Sequence, residues 1–209
     1  MCINKIYISS KILDKINKNW YVKWSFNFII NFRAIYIGDD LPMVVSSYLS
    51  IISRVLLSSD KIFTQTVEVV AKRHNKTEQS ALASMLDVWL IKMRNVSQME
   101  TRKLLSLALA YLLTTQSRPV LERLNLLLLN ILETLNDITK VEDNGAKIDS
   151  LVMTAHCQST SDYQEDGDNY ETDHDQRRKQ LGMSDPVHTI ILKDYLQSQV
   201  ILYLFCLKR

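Results

Sequence analysis

The stretch SQMETRKLLSLALAYLLTTQSRPVLERLNLLLLNILETLNDITK, residues 97–140, decides the fold. Ser97 and Glu100 have the spacing of a capping box, in which a hydroxyl and a carboxylate satisfy each other's free N–H groups at a helix start. From Leu104 to Leu113 the residues are Leu, Ala, Ser and Tyr, apolar over far more than one stripe, so neighbours must cover this helix on most sides. Pro119 stands where a first-turn proline is tolerated, and a second helix is predicted from Val120 to Ile138. It carries Leu121, Leu124, Leu126, Leu127, Leu128, Leu129, Ile131, Leu132 and Leu135. Two helices this rich in leucine cannot bury their surface on each other alone. A stack in which each antiparallel pair is sandwiched by its neighbours solves the problem, so the predicted fold is an all-α solenoid of HEAT-like pairs.

Working outward, residues 41–57 repeat apolar positions at steps of three and four (Val44, Val45, Tyr48, Ile51, Ile52, Val55, Leu56), with Pro42 at the start. Ser59 and Asp60 can cap a helix whose inner face is Ile62, Phe63, Val67, Val70 and Ala71. Thr77 can cap a third, carrying Ala81, Leu82, Met85, Leu86, Val88, Trp89 and Met93. Residues 41–141 therefore read as helical repeats. Residues 173–200 read as further helices of the same stack: a short charged one closing near Gly182, then one capped by Asp185 with Pro186 at its first position and Val187, Ile190, Ile191 and Leu196 inward.

Between these blocks, residues 142–172 are rich in Ser, Thr, Asp, Asn and Gly. Asp162, Glu165, Asp166, Asp168 and Glu171 follow one another with no Lys or Arg until Arg177, so the segment repels itself and is expected as a disordered acidic loop. These five carboxylates are the candidate site. Held on a flexible loop, they would attract Lys- or Arg-rich partners in a salt-dependent way. Residues 1–40 differ in composition from everything that follows, being rich in Ile, Asn, Lys, Tyr, Phe and Trp. They read as a segment foreign to the domain, and residues 201–209, where the polar face vanishes, read as a tail that does not match it.

Chemistry has no visible carrier. The 4 glycines are isolated, which rules out a phosphate-cradling loop, and no serine stands in a nucleophile elbow. His156 and Cys157 are adjacent without a partner pair, and the 3 cysteines are odd in number and far apart, so neither metal site nor disulfide framework is indicated. His74, His174 and His188 read as surface or packing residues. The net charge of +2 on 209 residues gives no global field for nucleic acid or a membrane surface, and the run from Trp24 to Ile37 is too short and polar to span a bilayer. No enzyme, cofactor, metal, nucleic acid or membrane is expected.

Residues 86–90 (Leu-Asp-Val-Trp-Leu), residues 97–109 and the block Asp175-Gln176-Arg177-Arg178-Lys179-Gln180-Leu181 leading into Ser184-Asp185-Pro186-Val187-His188-Thr189 resemble the C-terminal part of a karyopherin-β (importin-β family) nuclear transport receptor. The blocks stand in the family's order, separated by an acidic region, and the resemblance covers about residues 41–200. It implies HEAT-type or armadillo-type repeats from a receptor that shuttles between nucleus and cytoplasm. Such a receptor carries protein cargo past nuclear pore proteins and releases it on binding the GTP form of the small GTPase Ran. The family's Ran-binding repeats lie toward the N-terminus of a much longer chain. The rival reading is a helical adaptor or scaffold without a transport role.

Overall fold

The computed structural model describes residues 42–142, 145–152 and 173–207. In chain order the elements are α1 (Pro42–Ser58), α2 (Asp60–Arg73), α3 (Glu78–Lys92) with a 3-10 turn (Met93–Asn95), α4 (Met99–Leu113), α5 (Arg118–Glu122) and α6 (Leu124–Ile138). A small antiparallel hairpin, β1 (Thr139–Val141) with β2 (Lys147–Asp149), comes next, followed by α7 (Asp173–Ser184), α8 (Pro186–Thr189) and α9 (Leu192–Leu207). The all-α repeat architecture is the predicted one, with the hairpin as a minor addition.

Local chemistry explains the helix starts. Ser59 accepts from the Ile62 N–H and Thr77 from the Ser80 N–H, as their N-cap positions require. Asn75 turns the chain between α2 and α3 at φ 52°, a left-handed conformation that asparagine tolerates better than most residues. The expected capping box does not form. The helix begins one residue later, with Gln98 as the N-cap and no side-chain cap bond, so Ser97 lies one position too early for its hydroxyl to reach the right N–H. Gln98 instead accepts from the Thr101 hydroxyl at 3.1 Å.

α4 is the centre. α1, α6 and α9 pack extensively along it, and α8 touches it as well. Leu104, Leu105, Leu107, Ala108, Leu109, Ala110, Leu112 and Leu113 are all buried, as is Lys103. α2 packs on α1 and α3, and α3 passes contacts on to α5 and α6. Trp89, Met85 and Met93 are fully buried, as their helical spacing indicates. α6 is enclosed on one side only. Leu127, Ile131 and Ile138 face the core, while Leu126, Leu129 and Leu132 form an exposed row on the outer face.

Two helices read as continuous are broken. The predicted helix 120–138 divides at Arg123, whose backbone leaves helical geometry (φ −109°, ψ 9°). The Arg123 N–H bonds back to the Val120 carbonyl instead of Pro119. Its guanidinium donates to the Pro119 carbonyl at 3.2 Å, taking the acceptor that a regular turn would have used. The last helix divides at Ile190, which is extended (φ −106°, ψ 127°), so that α9 starts afresh at Leu192. Val187, Leu192 and Leu196 are inward, but Ile191, expected inward, is 43% exposed because this break rotates it away. α9 continues to Leu207.

Candidate functional site

The five acidic candidates Asp162, Glu165, Asp166, Asp168 and Glu171 lie outside the described residues, as do His156 and Cys157. What the structure does describe is the base from which that segment leaves and returns. The segment read as loop from residue 142 onward begins instead as ordered hairpin: Lys140 pairs with Ile148 and Thr139 with Asp149, with Gly145 turning at φ 81°. A β pairing was not legible there, because three-residue strands carry too short an alternation to be seen.

The hairpin places Asp149 under the stack. Its carboxylate, 4% exposed, meets the Lys103 ammonium, 0% exposed, with Nζ 2.8 Å from Oδ2. Asp149 Oδ1 accepts from the Leu151 N–H at 3.1 Å, and Oδ2 accepts from the Leu192 N–H at 3.2 Å, capping the start of α9 from outside its own helix. The Leu151 carbonyl contacts His188 Nδ1 at 2.9 Å. Residues 149–151 and 188–192 are thus joined on both sides of the acidic excursion. Burial pulls the Lys103 ammonium below its ordinary value, and the hydrogen bond and charge of Asp149 oppose that fall.

A second contact ties the returning segment to α1. Arg54 donates to Asp185 at 2.8 Å, and Asp185 also accepts from the Val187 N–H at 3.0 Å as the cap of α8. Burial raises the Asp185 carboxyl, but bonding to Arg54 and the Val187 N–H, with the positive charge of Arg54 and His188, outweighs it and leaves the group below its ordinary value. A shallow, mostly apolar cleft beside this pair is lined by Leu57, Ser58, Pro186 and Ile190. His188, read from sequence as a surface or packing residue, packs at this base. The Lys103–Asp149 pair was missed entirely. In the sequence Lys103 has no assigned role, and nothing in the one-dimensional pattern marked the partner 46 positions later.

Among the described residues no group of three or more His, Cys, Asp or Glu is placed to hold a metal ion, and no helix is long and apolar enough to cross a membrane. Among the described residues the geometry offers an open leucine row on α6 and a half-exposed outer side of α9.

An enclosed central helix flanked by packed helical layers, with one layer left open, defines an α-helical repeat protein of the solenoid class. Residues 3–202 match the family described as Importin-11-like, TPR repeats, and the chain belongs to that family. The chain is 29% identical to human importin-11 over 170 residues, 81% of this chain and 17% of the human protein. It is 27% identical to mouse importin-11 over the same span of coverage, 81% and 17%. The chain thus corresponds to about one sixth of the length of these relatives. No solved structure matches it. The family match begins at residue 3 and so takes in the N-terminal segment that composition set apart. TPR and HEAT repeats are both stacked pairs of antiparallel helices, so the family's description leaves the fold class as read.

Proposed function

We propose that this chain is a protein-binding section of a nuclear import receptor, acting in cargo transport between cytoplasm and nucleus and having no catalytic role. The observation that carries this reading is the family match across residues 3–202. In it, the helical stack presents a rigid surface to folded cargo. The acidic residues 162–171 raise encounter rates with basic partners. Passage through the pore and release by Ran in its GTP form are functions of the whole receptor, through repeats lying elsewhere in its length. The open row Leu126, Leu129 and Leu132 supports the reading, because a repeat protein stacks its next helical pair on such a face.

The test is made on the full-length protein. Immobilised receptor is expected to retain Ran loaded with GTP and not with GDP, and a fluorescent fusion is expected to move between nucleus and cytoplasm. Absence of both Ran retention and shuttling would favour a helical scaffold without a transport role. Replacing Asp162, Asp166 and Asp168 by Asn and Glu165 and Glu171 by Gln is expected to slow binding of basic cargo at low salt. Unchanged rates would remove the acidic segment from the mechanism.

A further inference from the structure

We infer that the β1–β2 hairpin and α9 form a strap across α4, closed by the buried carboxylate of Asp149, and that this strap opens as a unit while the rest of the stack stays folded. The strap's extensive helical packing is against α4, and its polar attachments are unequal. At one end Asp149 joins three elements at once: the Lys103 ammonium of α4 at 2.8 Å, its own hairpin end through the Leu151 N–H, and the α9 start through the Leu192 N–H. The Ser150 N–H adds a bond to the Ile138 carbonyl at 2.9 Å. At the other end, among the described residues, the strap is tied by an uncharged bond from Gln116 Nε2 to the Tyr203 carbonyl at 3.2 Å. Arg54 and Asp185, 52% and 21% exposed, pair where the connecting α8 meets α1, and His188 ties α8 to the Leu151 carbonyl.

The chemistry makes Asp149 decisive. A buried ammonium tolerates its site only with a partner, so loss of the carboxylate leaves an uncompensated charge beneath the strap, and an amide in its place has one acceptor oxygen for the two N–H groups of Leu151 and Leu192. Water reaches that charge most cheaply by local opening of α9, because α9 has an exposed outer side with Ile201, Leu204 and Phe205 and few polar ties. α1, α2 and α3 share no bond with Asp149, and their mutual packing is not disturbed.

Hydrogen exchange read by mass spectrometry on the whole chain tests this. In Asp149→Asn, amides of residues 147–151 and 192–204 are expected to exchange at least about tenfold faster, while those of α1 to α3 keep their rates within about twofold. Equal acceleration in all helices, or none in α9, overturns the proposal. Should the variant fail to fold, the unaltered chain in low denaturant supplies the same decision. The hairpin and α9 amides are expected to open together, with a smaller denaturant dependence than those of α1 to α3. Merging of all these amides into one opening event from the lowest denaturant would contradict it.

Discussion

Arg123 grips Asp87 with two parallel bonds, Nε to Oδ1 at 2.6 Å and Nη2 to Oδ2 at 2.8 Å, and so fastens the junction of α5 and α6 to α3. The same side chain reaches the Pro119 carbonyl, which makes one residue responsible both for the kink and for its attachment. Asp87 is 54% exposed, so water weakens the pair. Asp87→Ala is expected to cost about 1 kcal/mol and Arg123→Ala about 1–2 kcal/mol, because the latter also frees the Pro119 carbonyl. Urea midpoints measure both, and equal costs would show that the carbonyl contact contributes nothing.

Asp185 combines a cap with an ion pair. Its folded value lies below its ordinary 3.8, so its contribution is complete above that pH and is lost as pH falls through the lower folded value. Asp185→Asn is therefore expected to flatten the acid limb of the stability profile. Asp185→Ala is expected to lose about 1 kcal/mol at neutral pH. Thermal melts from pH 7 to pH 2 check the sign, and an acid limb as steep in Asp185→Asn as in the unaltered chain would contradict it.

Tyr195 titrates on the opposite side. Burial, and then the neighbouring Tyr111, pushes its phenol up from 10.0 to about 12. Between those values the folded chain holds a proton that the unfolded chain releases, so stability falls as pH rises across that window. Tyr195→Phe is expected to reduce this alkaline loss. The absorbance of phenolate near pH 11, set beside melts at the same pH, reads both quantities, and identical alkaline melts for the two proteins would refute the assignment.

The leucine row of α6 predicts behaviour in solution. Leu126, Leu129 and Leu132 are 37%, 44% and 52% exposed in a contiguous strip, a pattern that promotes association. Leu129→Gln with Leu132→Gln is expected to shift light scattering toward monomer with less than about 1 kcal/mol change in stability, since neither side chain fills the core. Scattering that does not change would remove this face as a source of association.

Much of this architecture was legible in residue spacing. Val45, Ile52 and Leu56 on α1, and Phe63, Val67, Val70 and Ala71 on α2, are buried at the helical steps that mark them, and Leu49, not singled out in the sequence, is buried with them. Ser59, Thr77 and Asp185 cap as their positions require. The failures share a cause. Arg123 and Asp149 have their roles set by partners distant in sequence, Asp87 and Lys103, and the helix restarted after Ile190 is capped at Leu192 by that same distant Asp149; periodicity carries no record of such pairings. The Ser97 capping box failed by a single residue of register, the usual limit at helix ends. The five acidic candidates lie outside the described residues, and their part in binding rests on charge alone.

The account turns on α4 being the enclosed centre of the helical stack. Native-state hydrogen exchange of the whole chain measures that directly. The amides of Leu105 to Leu112 are expected to be the slowest in the molecule, opening only with global unfolding. Exchange of those amides as fast as that of the outward residues Leu129 and Leu132 on α6 would show that α4 is not enclosed, and the architecture proposed for this chain would be wrong.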